Sequence, residues 1–82
     1  MKIPRDISSE KLIKALSKYG YKITHQTGSH VRLTSQKNKE THHITIPKHK
    51  ILKIGTLNNI LNDLSDYLEI DKQTQIEQLF SS

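Results

Sequence analysis

Three short stretches in which apolar residues fall at every second position constrain this 82-residue chain more than any other feature of it. Tyr21, Ile23 and His25 alternate with Lys22, Thr24 and Gln26; Val31 and Leu33 alternate with His30, Arg32 and Thr34; Ile44 and Ile46 alternate with His43, Thr45 and Pro47. A period of two sends alternate side chains to opposite faces of a pleated strand, so each stretch reads as a strand with one buried face. The flanking segments carry the helical period instead. Ser8 or Ser9 can cap a helix with Glu10 in its first turn and Leu12, Ile13, Leu16 and Tyr19 on one stripe, ended by Gly20. Ile51, Leu52 and Ile54 are expected to anchor a connection to a second helix, capped by Thr56 and burying Leu57, Ile60, Leu61 and Leu64. A short third helix is expected from Asp71, with Ile76, Leu79 and Phe80 apolar.

The expected fold class is therefore α+β, a three-stranded antiparallel sheet with two helices on one face (α-β-β-β-α) and a short C-terminal helix. One domain over residues 1–82 is expected, with its core in about 2–70 and a tail over 71–82. With 33% hydrophobic residues such a chain supports one thin core and no second lobe, so a large substrate must lie on the surface.

Directly opposed residues of an antiparallel pair share a face, which lets the register be inferred. Placing Ile23 opposite Leu33 sets His25 against Val31, Thr24 against Arg32 and Gln26 against His30, with Thr27-Gly28-Ser29 as a three-residue loop in which Gly28 can supply a positive φ. The same rule sets Leu33 against Ile44, Val31 against Ile46, Arg32 against Thr45 and His30 against Pro47. One polar sheet face then carries His30, Arg32, Lys22, Thr24, Gln26 and Thr45. Residues 36–41 read as a polar, flexible hairpin loop.

Charge is unevenly spread. Residues 1–53 hold twelve Lys and Arg against three Asp and Glu, whereas residues 54–82 hold one lysine against five carboxylates. A basic body with an acidic end is an electrostatic footprint for a polyanion. Lys11, Lys14 and Lys18 form a ridge along the first helix, and Lys48, His49 and Lys50 emerge where the third strand ends beside His30. The chain has no cysteine, which leaves no disulfide or thiolate zinc site and suits a reducing cytoplasm. Its N-terminus lacks an apolar signal region, and no run of about 18 apolar residues exists to span a membrane.

Cleaving an RNA phosphodiester bond without metal needs a base for the 2′-OH proton, an acid for the leaving 5′-oxygen and positive charge on the phosphorane. Histidine serves the first two because it changes charge near neutrality, and Arg and Lys serve the third. His30 on a polar sheet face, with Arg32, Lys48, His49 and Lys50 nearby, meets that minimum; the alternative is a non-catalytic RNA- or DNA-binding module. Metal and cofactor are not expected. Among the five histidines, His25 and His30 are placed on opposite faces, His42 and His43 point apart, and no helical H-x-x-x-H pair exists. Paired carboxylates are missing from the basic sheet, where only Glu40 stands, in a loop.

Pro4-Arg5-Asp6-Ile7-Ser8, Gly20-Tyr21, Gly28-Ser29-His30, Ile46-Pro47-Lys48-His49, Gly55-Thr56-Leu57 and Ile60-Leu61 follow one another in an order and spacing that resembles the HicA family of toxins, over about residues 2–70. The resemblance implies a fold like a double-stranded RNA-binding domain. It implies a toxin that cleaves mRNA, with His30 as its essential residue, and a HicB-type antitoxin that covers that histidine. Gly28 and Ser29 match the motif and are assigned to shaping the turn. His49 matches a recurrent family position, with either a second catalytic role or a local hydrogen bond as its task. Lys22, Arg32, Lys48 and Lys50 are assigned to RNA phosphates on charge and expected face alone. Ser9 stands where the family often has glycine, and the tail past Ile70 departs from the pattern.

Overall fold

The computed structural model describes residues 3–36 and 40–80. Chain order is α1 (Ser9–Leu16), a 3-10 turn (Ser17–Tyr19), β1 (Lys22–Gln26), β2 (His30–Ser35), β3 (His42–Pro47), α2 (Ile54–Leu68) and α3 (Lys72–Phe80). The three strands form one antiparallel sheet in the order β1-β2-β3. Val31, Leu33, Ile44 and Ile46 turn from β2 and β3 into the core, where they join Leu12 and Leu16 of α1 and Leu57, Leu61 and Leu64 of α2. The inward-facing alternate side chains of the strands meet the apolar stripes of the helices, which fixes the helices to one face.

Local chemistry sets the helix ends. Ser8 caps α1, its Oγ accepting from the Lys11 N–H at 3.0 Å. Gly20 ends the 3-10 turn in the left-handed region at φ 81°. Ile13, expected in the buried stripe, is only half-buried, and Ala15 takes a buried place beside Leu12 and Leu16. The second helix begins at Ile54, three residues before the position expected: its cap is Lys53 in place of Thr56, with no side-chain cap bond, and Thr56 lies inside the first turn. Of the residues expected to anchor that connection, Leu52 alone is buried; Ile51 and Ile54 are 57% and 40% exposed. Backbone pairing does their work, since the Leu52 N–H donates to the Ile7 carbonyl at 2.7 Å. The buried stripe of α2 is as its period predicts.

The expected register holds between β2 and β3 throughout, from His30 opposite Pro47 to Leu33 opposite Ile44. Between β1 and β2 it holds at Ile23 opposite Leu33 and Lys22 opposite Thr34, and is lost from His25 onward. The hairpin closes tighter than expected: the Thr27 N–H donates to the His30 carbonyl at 2.9 Å, leaving Gly28-Ser29 as a two-residue turn. His25 consequently faces Arg32 and Gln26 faces Val31, and a bulge at Thr24 restores Ile23 to Leu33. One extra residue in a strand reverses the parity of everything beyond it. His25 and Gln26 have therefore exchanged faces relative to the alternation. Gly28 does not adopt a positive φ; among the described glycines Gly20 does. The loop at 36–41 includes residues 37–39, which lie outside the described residues.

The C-terminal helix belongs to the core. Asp71 caps it, its Oδ1 accepting from the Thr74 N–H at 3.3 Å, and Leu79 and Gln75 are buried. Gln75 donates from Nε2 to the Leu61 carbonyl at 2.9 Å and to Ser65 Oγ at 2.8 Å. Tyr19 donates its hydroxyl to Gln78 Oε1 at 2.7 Å, which ties α3 back to the first helical segment.

Candidate functional site

The outer face of the sheet, away from the helices, is built by residues that the pleat leaves in water. His30 and Arg32 of β2 are exposed and lie opposite Pro47 and Thr45. His25 stands opposite Arg32, and Lys22 opposite Thr34. The strand sequences contain no Asp or Glu, so no carboxylate of the strands offsets these cations. A polar chain crosses all three strands here, from Thr24 Oγ1 to Thr34 Oγ1 at 2.7 Å and from Thr34 Oγ1 to His43 Nδ1 at 2.8 Å.

His30 is held from three sides. Its N–H donates to Thr27 Oγ1 at 3.0 Å, its carbonyl accepts from the Thr27 N–H, and its ring Nδ1 lies 3.0 Å from Ser29 Oγ. The backbone is fixed by the turn and the ring by the neighbouring hydroxyl, while the ring itself remains exposed. Gly28 sits at the tip of that turn, where an added Cβ would meet nothing within 4 Å. The expected positive φ at Gly28 is absent, and Thr27 closes the turn through its N–H and hydroxyl to His30.

Lys48, His49 and Lys50 do follow β3 beside the turn, since the Lys48 N–H donates to the Ser29 carbonyl at 2.9 Å. These residues line a different surface: a groove of about 600 Å³ on the helix side of the sheet, shared with the first two turns of α1 and the edge of β1. His49 is anchored by its backbone, its carbonyl accepting from the Ser9 N–H at 3.1 Å and from Ser9 Oγ at 3.2 Å, and its N–H donating to Ser9 Oγ at 3.3 Å. Ser9 is buried by this bridge, and its hydroxyl has a task that a glycine could not perform.

Residues 9–65 match a protein-family model described as HicA toxin of bacterial toxin-antitoxin. The chain belongs to the HicA toxin family. No curated protein and no solved structure matches it significantly. Membership makes this HicA-family chain the toxin member of a toxin-antitoxin pair, with a cognate antitoxin as its partner. The match takes in the hairpin, His30, the 48–50 segment and most of α2, and stops before α3.

Of the residues singled out from the sequence of this HicA-family chain, the structure brings His30, Arg32 and Lys22 to the outer face and Lys48, His49 and Lys50 to the groove. Gln26, expected on the outer face, lines the groove. His25, expected on the apolar face and opposite to His30, is on the outer face with it. Among the described residues no group of three or more His, Asp or Glu is placed to hold a metal ion, and no helix is long and apolar enough to cross a membrane. The signal that could have exposed the β1 parity change was the run of five consecutive residues, Lys22 to Gln26, with no strongly apolar residue after Ile23.

Proposed function

We propose that this toxin is a metal-independent endoribonuclease that cleaves mRNA and so inhibits translation, with His30 as its acid/base group. The observation that carries the reading is an exposed imidazole, braced by Ser29 and Thr27, on a strand face that lacks carboxylates and holds Arg32 and Lys22. With Nδ1 donating to Ser29 Oγ, the Nε2 lone pair is directed outward to take the 2′-OH proton. The 2′-oxygen then attacks the phosphorus, a 2′,3′-cyclic phosphate forms as the P–O5′ bond breaks, the 5′-oxygen takes a proton from water, and the imidazolium of His30 returns its proton to solvent. Arg32 and Lys22 supply the positive charge that the pentacoordinate phosphate requires, and Lys48, His49 and Lys50 hold the flanking phosphates.

A HicB-type antitoxin is proposed to silence the toxin by covering His30, and an acidic surface on it would be drawn rapidly to this face. The test is cleavage of RNA in chelator by wild type and His30→Ala, side by side. Wild type is expected to cut and the variant to lose at least about 100-fold in rate while keeping its melting temperature, since general acid-base groups contribute on that order. Undiminished cleavage by the variant rejects His30; tight binding without products from wild type makes the protein a binding module.

A further inference from the structure

The groove on the helix side carries a combination that phosphate binding does not explain. Lys14, Lys48 and Lys50 suit a polyanion, yet Glu10 lines the same groove and would repel a phosphate. Ile13, Ile23 and Val31 form an apolar wall, with Ile23 left 51% exposed on an edge strand. Gln26 is turned to this wall by the bulge at Thr24.

We infer that the groove is a base-selective subsite for one unstacked nucleotide of single-stranded RNA, reading guanine through Glu10. The inference rests on the RNA-cleaving reading above and names the part of the substrate that the outer face leaves unread. Apolar side chains sandwich flipped bases, which accounts for the isoleucines. A carboxylate accepts from base N–H groups, and guanine alone offers an N1–H and N2–H fork that matches its two oxygens. The Gln26 amide can bond the remaining base edge, and the lysines then take the adjoining phosphates. An acidic peptide would meet the same repulsion from Glu10 that a phosphate meets.

The groove and His30 lie on opposite sides of the sheet but share one end. Lys48 is bonded through its N–H to the Ser29 carbonyl, and Ser29 Oγ contacts the His30 ring. A strand crossing the bare tip at Gly28, where an added Cβ would meet nothing within 4 Å, can therefore seat a base in the groove while a neighbouring phosphate reaches the imidazole. The groove is preformed, because its 48–50 wall is pinned to Ser29 and Ser9 by backbone bonds.

The test measures binding of short single-stranded RNAs, identical except for one guanine replaced by adenine or uracil, to full-length His30→Ala by fluorescence anisotropy. Guanine is expected to be preferred by about tenfold or more in Kd, and Glu10→Gln to abolish the preference. Glu10 is exposed, so an unchanged melting temperature verifies the fold of that variant. Equal binding of all three RNAs, or a preference that survives Glu10→Gln, overturns the inference. So does a result in which Glu10→Gln and Ile23→Ser weaken the antitoxin complex and leave base preference flat, which would give the groove to the antitoxin. If guanine preference is present but wild type cuts nothing, the cleavage reading fails and the subsite stands.

Discussion

Tyr21 is the residue whose chemistry the fold changes most. It is 3% exposed, and burial pushes its phenol well above the ordinary 10.0, with Tyr67 and Asp63 nearby adding to the shift. Because the folded state holds this proton more tightly than the unfolded chain, the contribution is complete below pH 10 and is lost as pH climbs beyond it. Stability is expected to fall on the alkaline side. Tyr21→Phe should cost about 1 kcal/mol at pH 7, where it loses the 2.7 Å contact with His42 Nδ1, and should flatten the alkaline decline; urea midpoints at pH 7 and pH 11 check both. Under the proposed mechanism Ser29 is a positioning residue, its Oγ 3.0 Å from His30 Nδ1. Ser29→Ala is expected to lower kcat about tenfold with KM unchanged, because the hydroxyl orients the His30 ring and is not needed to bind RNA. A rise in KM alone would make Ser29 a phosphate contact instead.

At the scale of elements, backbone conformation decides which substitutions the fold tolerates. Gly20, at φ 81°, closes the first helical segment, and Gly20→Ala should cost about 1 kcal/mol. Gly28 has neither a left-handed φ nor a neighbour, so Gly28→Ala should change stability by less than about 0.5 kcal/mol. Two glycines that look alike in sequence thus separate in a thermal melt. Glu69 ends α2 at φ 56°, a conformation that a glycine adopts without strain, and Glu69→Gly is expected to stabilise by about 0.5–1 kcal/mol. The helix α3 illustrates a similar separation between pattern and role. It lies beyond the family match, yet it buries Leu79 and ties Gln78 to Tyr19.

At the scale of the whole molecule, charge and packing are divided between its two ends. Lys22 and Arg32 stand on the outer sheet face, Lys14, Lys48 and Lys50 line the groove, and the acidic segment supplies α2 and α3. RNA affinity should therefore fall steeply with salt, and Lys22→Ala with Arg32→Ala should each flatten the log-log slope by roughly one unit or less. An unchanged slope in both variants would move phosphate contact off the outer face. Truncation after Ile70 is expected to destabilise the fold by at least about 3 kcal/mol, since it strips the core of Leu79 and leaves its neighbours facing a void. Denaturant unfolding of the shortened chain measures this directly.

Local and periodic information was enough for the sequence to determine the strand and helix order, the α2 stripe, the β2-β3 register and the exposure of His30. Each depends on a repeat of two or 3.6 that the side chains themselves carry. Only the tertiary structure decided which face His25 and Gln26 occupy, because the bulge at Thr24 is a compromise between a two-residue turn and the demand of Leu33 for an apolar partner. It alone also assembled the groove, whose walls come from residues 8–14, 23–31 and 48–50. Segments so far apart in the chain meet through backbone bonds such as Ser9 to His49, and no periodicity records a contact between residues forty positions apart.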